Sequence, residues 1–398
     1  MGEANIPCLN IALVAEEKST YLQLGYSEEQ CAALPHEGEI DAVLTTLESL
    51  GYHVTRVPGI QSLVQLLAAG KHKSWDLVFN MSQGVYGSAR EAQVPAILEA
   101  YQIPYTFSDA ATMTLCQNKA ITKTILDRYK IPNAPFALIS MLEGKANISE
   151  SCAALPAYPL FIKPVSEGSS KGIDSFNKVN DSAELDLAVQ EIGSKFPDQD
   201  VLVESFLSGR EFTVSILGTG AHSRVIGIRE HIWQTFPNHS NDNAYRSNPS
   251  LDFACVHSKS SKGGKMLVYN DSHDMNEPQI KAACQVALDT WKVFKCRDSG
   301  RVDIRFSSDE QGSIPNVLEV NPIAGLLPGH SPLPASAKIN GLSFEDLLSE
   351  IVGSTLQRAH HPTSRADRRQ CPIHLKANRA DISKCEGGQL KSYIPCGI

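Results

Sequence analysis

Arg301-Val302-Asp303-Ile304-Arg305 alternates charged and apolar residues, so on a strand Arg301, Asp303 and Arg305 share one face. Leu318-Glu319-Val320-Asn321-Pro322 follows a polar turn and places Glu319 and Asn321 on one face of the next strand. Neighbouring strands would converge Asp303, Glu319 and the Asn321 amide oxygen on one point. Hard oxygen ligands of this kind suit Mg2+ shared between protein and phosphate, because Mg2+ keeps several waters and rarely takes an all-protein cage. The plain alternative is the solvated side of a β-meander. Val320, Pro322 and Ile323 weigh against it by continuing an apolar environment around the two polar residues. A second stretch, Phe161 to Gly172 (FIKPVSEGSSKG), brings Lys163 off the end of an apolar run into a small-residue loop. Ser169 and Ser170 offer hydroxyl and amide donors, and the glycines leave backbone N–H groups able to curl around an anion. Such a loop can hold a triphosphate without the GxxxxGK[ST] pattern, which is absent here. Taken alone, it is equally a Ser/Gly turn after an edge strand.

The elements that must position these residues follow from periodicity. Leu9–Ala15 is a short apolar run suited to a buried parallel strand. His36–Leu50 spaces Ile40, Val43, Leu44, Leu47 and Leu50 as a helix that Gly51 closes. A strand at His53–Val57, a helix at Ile60–Ala69 and a strand at Asp76–Asn80 complete an α/β layer with a parallel sheet. Ligands of such sheets gather beyond the carboxyl ends of the strands, here at Asn80–Gly84 and on through Gln93. Further on, the pattern predicts a short strand at Ile103–Thr106, a helix start capped at Ser108-Asp109 and a helix over Lys119–Tyr129. A strand at Phe136–Ile139, irregular sequence over 140–158, a helix at Ser182–Lys195 and a strand at Val201–Glu204 come next. Phe212–Leu217 and Arg224–Arg229 read as antiparallel neighbours, and 230–265 as a long irregular loop of functional type. Pro278–Phe294 is a helix, Arg301–Phe306 and Asn316–Val320 are strands, and Phe344–Leu356 is the last helix.

The chain has 398 residues, 42% of them hydrophobic and 20% charged, which places it among globular proteins of two or three domains. A net charge of −8 argues against a nucleic-acid-binding surface. No apolar run approaches the roughly 20 residues that cross a bilayer, and the start lacks a secretory signal pattern. The expectation is therefore a cytoplasmic protein without membrane or nucleic-acid partners. Its 10 cysteines carry no CxxC pair, which favours reduced thiols. Metal binding by His360, His361, Cys371, His374 and Cys385 in the tail has no tetrahedral zinc spacing to support it.

From Asp76 to Leu348 the chain resembles ATP-grasp enzymes of the D-alanine–D-alanine ligase-like family. The passages that carry the resemblance are NMSQGVYGSAREAQVPAILEAYQIPYTFSD, the Asn118-Lys119 helix, FIKPVSEGSSKGI, VLVESFLSGREFTVSILG and RVDIRF…VLEVNPIAGLLPGHSPLP. In this order they are specific for the superfamily and less so for the substrate. The resemblance implies an α/β (α+β) ATP-grasp fold, with an N-terminal parallel domain over 1–113 followed by two α+β subdomains that clasp ATP. These are 114–208 and 209–356, the latter carrying the metal and substrate site; a basic Cys- and His-bearing extension occupies 357–398.

The same resemblance assigns ATP contacts to Lys119 and Lys163, and makes Glu167, Gly168, Ser169, Ser170 and Gly172 part of the loop over the triphosphate. Glu204, Ser205, Phe206 and Leu207 become the hinge at the adenine edge, and Glu211 the ribose ligand. Asp303, Glu319 and Asn321 match the Mg2+ ligands, for which Mn2+ can substitute. Arg301, Lys163, Gly325 (an oxyanion-hole amide) and Ser170 form the catalytic set, while Ser331 and Glu39 read the substrates. A homodimer is the family expectation. Departures concentrate in Met81–Gly84, Ser88–Glu91, Phe107 (where a glycine is usual), the 230–265 stretch and the tail.

The implied reaction is ATP-dependent amide formation: a carboxylate attacks the γ-phosphate, and an amine displaces phosphate from the acyl phosphate. Positioning and charge neutralisation carry such phosphoryl transfers. The partners are thus a small carboxylate and a small amine, amino acids or an acyl acid with an amino acid. Ligation of a non-amino-acid carboxylate or an unusual amine uses the same machinery. A nucleotide-binding scaffold without turnover is the rival from another class, and the presence of Lys163, Arg301, Asp303, Glu319 and Asn321 together weighs against it.

Overall fold

Alternate residues of the first strand enter different cores. The computed structural model describes residues 9–142, 145–146, 155–169, 171–235 and 265–359, and all of these except Ala359 lie in one compact unit ending at Arg358. In β1 (Asn10–Ala15), Ile11, Leu13 and Ala15 face one cluster and Ala12 and Val14 another. Burial on both faces is why the run is apolar without a break. β2 (His53–Pro58) and β3 (Leu77–Asn80) flank β1 in parallel, in the order β2-β1-β3. The crossovers carry α2 (Glu37–Ser49), which buries Ile40, Val43 and Leu47, and α3 (Gly59–Ala68), which buries Leu63 and Leu67. A short α1 (Lys18–Gln23) precedes them, and α4 (Gln93–Ala100) follows β3.

Two helices lead toward Lys119. Asp109 caps α5 (Ala110–Gln117) by accepting the Thr112 N–H at 2.8 Å, as the sequence predicts. Asn118 then caps α6 (Lys119–Tyr129), which starts Lys119 at a fixed point. Beyond them lies an antiparallel sheet of β4 (Phe136–Ile139), β9 (Val201–Ser205), β7 (Leu160–Pro164) and β8 (Lys178–Val179), in that order. α7 (Ser182–Lys195) covers it through Leu185, Val189 and Ile192. The irregular 140–158 region also holds two-residue strands, β5 (Met141–Leu142) and β6 (Lys145–Ala146).

The third sheet runs β12 (Lys265–Asn270), β11 (Arg224–Thr235), β10 (Glu211–Leu217), β13 (Ser299–Phe306), β14 (Pro315–Asn321), with antiparallel neighbours. α8 (Pro278–Val293) packs on it with Trp291 fully buried among Phe212, Val302 and Ile304. α9 (Pro332–Ile339) and α10 (Phe344–Ala359) join Leu333, Leu347 and Ile351 to the β1 core.

Several boundaries differ from the sequence reading. Residues 230–235 and 265 of the expected loop are strand: the end of β11 pairs with β12, while 236–264 lie outside the described residues. Ile103–Thr106 forms only a bridge from Tyr105 to Val78. The last helix continues to Ala359, and Arg358 pairs with the buried Asp298. Phe107, where the resemblance leads one to expect glycine, takes a left-handed φ of 70°. That conformation costs about 1–2 kcal/mol; full burial against Phe79, with centroids 5.7 Å apart, offsets it.

Candidate active site

Strand pairing explains why the charged residues converge. Arg301 stands opposite Asn321 and Asp303 opposite Glu319, and a bulge just beyond re-aims β13. Asn321 Nδ2 donates to Asp303 Oδ2 at 3.1 Å, which turns the Asn321 carbonyl away as an unspent acceptor position. The Arg301 guanidinium lies 3.8 Å from Asp303 Oδ2. Burial raises the Asp303 pKa above the usual range, opposed by Arg301. Glu319 goes the other way: burial alone would raise it, but Lys119, 3.0 Å away, and Arg301 hold it below its usual range.

No group of three or more His, Cys, Asp or Glu could hold a metal among the described residues. Asp303, Glu319 and the Asn321 amide instead make an incomplete oxygen set. That fits an ion whose remaining ligands are phosphate and water, as Mg2+ prefers.

Lys119 and Lys163 both line one cleft, with Glu167, Gly168, Phe161, Ser205, Phe206, Leu207, Glu211 and Glu319. Lys163, on β7, sits 2.6 Å from Glu204 Oε1, and Lys123 is 2.8 Å from Oε2. Burial would raise Glu204, yet the two ammonium groups bring it down to about 2. Lys163 itself is lowered, chiefly by burial. The Glu204 side chain is thus a counter-ion for two lysines, a role that the sequence reading, which placed Glu204 in an adenine hinge, did not foresee. Glu211 pairs with Arg305 at 2.9 Å inside the same cleft, so the face shared by Arg301, Asp303 and Arg305 divides between two cavities.

The loop after β7 is pinned from several sides. Arg90 Nη2 donates to the Ser166 carbonyl at 3.0 Å, Gln199 Nε2 donates to Glu167 Oε1 at 2.6 Å, and Lys119 Nζ donates to the Glu167 carbonyl. Gly172 has φ 74°, and a Cβ there would stand 2.7 Å from Phe196, so the loop exit requires glycine. Ser169 lines the adjoining cavity; Ser170 lies outside the described residues.

That second cavity holds about 510 Å3 and is bounded by Glu39, Arg301, Asn321, Gly325, Ser331, Arg229 and His231. Glu39, on α2, reaches the turn after β14: its Oε1 accepts the Leu326 N–H at 2.5 Å. Burial raises the Glu39 pKa, and that hydrogen bond opposes it. A Cβ on Gly325 would meet Ser331 Oγ at 2.8 Å, so the turn closes tightly on both substrate candidates. Ser331 stands at the start of α9 before Pro332, but its hydroxyl makes no cap bond; it accepts the Leu327 N–H at 3.2 Å.

Among the sequence candidates, the structure brings Lys119, Lys163, Glu167, Gly168, Glu204, Ser205, Phe206, Leu207, Glu211, Asp303 and Glu319 to the first cleft. Glu39, Ser169, Arg301, Asn321, Gly325 and Ser331 line the second, and Gly172 stands outside both, beside Lys171. Arg229, held by Asp271 at 2.7 and 2.8 Å and stacked on Tyr269, escaped the sequence reading, as did Lys123, Gln199 and His231. Only the charge of Arg229 within an apolar strand hinted at a role.

A family model described as the D-ala D-ala ligase C-terminus matches residues 125–353. The D-alanine–D-alanine ligase of Xanthomonas axonopodis pv. citri is 28% identical over 332 residues, 83% of this chain and 92% of that protein. The ligase of Clostridium botulinum strain Hall is 30% identical, over 72% of this chain and 83% of its own. The crystal structure of the D-alanine–D-alanine ligase from Bacillus anthracis superposes with a TM-score of 0.65 at 23% identity, covering 88% of this chain and 98% of that one. Its complex with ATP gives 0.64 at 22%. The fold is the ATP-grasp fold of those ligases. The chain belongs to the D-alanine–D-alanine ligase family, and it is a ligase. No helix among the described residues is long and apolar enough to cross a membrane.

Proposed function

We propose that this protein is an ATP-dependent carboxylate–amine ligase that joins two amino acids through an acyl phosphate. The observation that carries the reading is that the two cavities share Glu167, Gly168 and Glu319 in their walls. A nucleotide in the first cleft would point its terminal phosphate at a carboxylate in the second. Lys119 and Lys163 neutralise phosphate charge there, and Asp303, Glu319 and Asn321 hold Mg2+ or Mn2+, whose bound charge would offset that of the phosphates.

In the first step a substrate carboxylate oxygen attacks the γ-phosphorus and ADP leaves. In the second, the amine forms the C–N bond and phosphate departs from the acyl carbon. Arg301 stabilises charge on the reacting carboxylate, the Gly325 amide faces the developing oxyanion, and Ser170 belongs to the loop over the phosphates. Glu39 orients the first amino acid and Ser331 receives the carboxylate of the second. Phe206, Ser205 and Leu207 bound the base and Glu211 the ribose. No cysteine is needed as a nucleophile.

Residues 1–113 form the N-terminal domain, and 114–208 and 209–356 are the two subdomains that clasp ATP. The free thiols of Cys31, Cys116, Cys284 and Cys296 favour a reducing cytoplasm, and a homodimer is the working assembly. D-Alanine is the first pair of substrates to offer, because the similar proteins are D-alanine–D-alanine ligases. The test is a screen of carboxylate and amine pairs for phosphate and ADP release. Release that needs both partners, with an amide product by mass, supports the reading; release independent of any carboxylate defeats it.

A further inference from the structure

Lys171 is a charged residue of the loop after β7 to which the ligase reading, on which this inference rests, gives no task. It lines the nucleotide cleft, and its side chain is 9% exposed. Its ammonium reaches across to the first α/β layer. Nζ donates to the Gln30 carbonyl at 3.0 Å and stands 3.8 Å from Glu167 Oε2. Burial lowers the Lys171 pKa and Glu167 opposes the shift, so the head group is desolvated and depends on those two partners.

Gln30 belongs to a short strap. Ser27-Glu28-Glu29-Gln30 has the spacing of a capping box, and the bonds are reciprocal. Gln30 Oε1 accepts the Ser27 N–H at 2.8 Å, and Ser27 Oγ accepts the Gln30 N–H at 3.1 Å. The Gln30 side chain is thus spent within the turn, which leaves its carbonyl for Lys171. Cys31 and Leu34 are buried and anchor the strap in the interior. Ala32, Ala33, Leu34 and Pro35 form one wall of the second cavity. His36 then caps α2 by accepting the Gly38 N–H at 3.1 Å, which sets the first turn that carries Glu39. One unbroken piece of chain therefore runs from the Lys171 contact to the acid of the donor site.

The loop at the other end of this contact is held upstream by Gln199, which accepts the Ser166 N–H at 3.0 Å, and downstream by Asn177, which donates to the Gly172 carbonyl at 2.9 Å. A nucleotide that suppresses local opening of this loop suppresses opening of whatever is tied to it.

We propose that Lys171 is a positioning residue that couples the two cavities: by holding the Gln30 carbonyl it ties residues 27–35, and with them the seat of the carboxyl donor, to the loop over the triphosphate. A donor that arrives after the nucleotide then meets a strap already ordered. By linkage the donor tightens nucleotide binding by the same factor.

Hydrogen exchange in the full chain reads the link without turnover. Saturating AMP-PNP with Mg2+ should slow amide exchange over 27–35 about 10-fold or more in the unaltered protein. Lys171→Met, close in shape but with no donor, should still take up AMP-PNP and protect the loop after β7, while slowing over 27–35 falls below about twofold. Lys171→Arg keeps a donor and should restore most of the effect. Ser27→Ala loosens the strap from its far side and should also lessen the slowing, with AMP-PNP affinity near native. In equilibrium binding, AMP-PNP should tighten D-alanine about 5-fold or more in the unaltered protein and not in Lys171→Met. Slowing over 27–35 that survives in Lys171→Met, or equal D-alanine affinity with and without AMP-PNP in the unaltered protein, overturns the coupling. Either result leaves the ligase reading standing, since that rests on carboxylate-dependent ADP release. An unaltered protein that binds no AMP-PNP removes the ligase reading and this inference together.

Discussion

Glu39 and Leu326 are 287 residues apart in sequence, yet the Glu39 carboxylate accepts the Leu326 backbone N–H at 2.5 Å. An acid from the first α/β layer thereby holds the turn that presents Gly325 and Ser331. A carboxylate has more lone pairs than the backbone N–H groups around Glu39 use, so it can still meet a substrate ammonium. Glu39→Gln keeps an acceptor for Leu326 but removes the charge. We expect kcat/KM for the carboxyl-donating amino acid to fall roughly 10- to 100-fold, the loss of one charged hydrogen bond of about 1.5–3 kcal/mol. The melting temperature should move little. A larger loss of melting temperature than of activity would reduce Glu39 to a structural anchor.

Glu319 faces Lys119 on one side and Asp303 across the strands on the other. Glu319→Gln preserves shape and removes a ligand charge where phosphate and metal must be neutralised. Turnover should drop by more than about 100-fold, and the Mg2+ needed for half-activity should rise. Normal activity with unchanged Mg2+ dependence would take Glu319 out of the site.

Glu204 carries a prediction about acid stability. Its carboxyl lies at about 2 in the folded protein, against about 4.3 for an ordinary glutamate. A depressed carboxyl stabilises the fold above the unfolded value and loses that contribution as pH falls through the folded one. The contribution is therefore complete above roughly pH 5 and drains toward pH 2. Glu204→Gln strands two buried ammonium groups, on Lys123 and Lys163, and should cost about 3–5 kcal/mol at pH 7 by urea unfolding. It should also flatten the acid limb of the stability curve between about pH 4.3 and 2. A loss under about 1 kcal/mol would show that the lysines find other partners.

What the sequence made legible was what repeats along one element. The unbroken run of β1 announced burial on both faces, and the alternation in Arg301–Arg305 announced a shared polar face. Contacts between distant segments left no such mark. Nothing near Arg90 signals that its guanidinium will hold the Ser166 carbonyl, and nothing near Lys123 points to Glu204. The β11–β12 pairing was hidden for another reason. It lies at the sheet edge, where Tyr269 is 48% exposed, so inward and outward residues do not separate into apolar and polar sets. His231 went unnoticed because its bonding depends on Thr213 and Asp303 across two neighbouring strands.

In the proposed reaction, Ser331 would decide what kind of amine is joined. It begins α9, where Pro332 leaves no competing N–H at the first helical position, and its hydroxyl now accepts from Leu327 inside the cavity. A substrate carboxylate arriving at this turn would take the hydroxyl hydrogen while the lone pairs stay with Leu327, so both bonds can coexist. Arg229, whose guanidinium also reaches the His330 carbonyl at 3.3 Å, would add charge to the same receptor. Ser331→Ala should then raise the KM for an amino-acid acceptor about 10-fold or more while leaving the KM for ATP nearly unchanged. The decisive comparison sets amino acids against amines of the same side chain that lack the carboxylate. The unaltered protein should prefer the amino acid, and Ser331→Ala should narrow that preference. If decarboxylated acceptors serve equally well in the unaltered protein, Ser331 only shapes the turn, and the second substrate is not an amino acid.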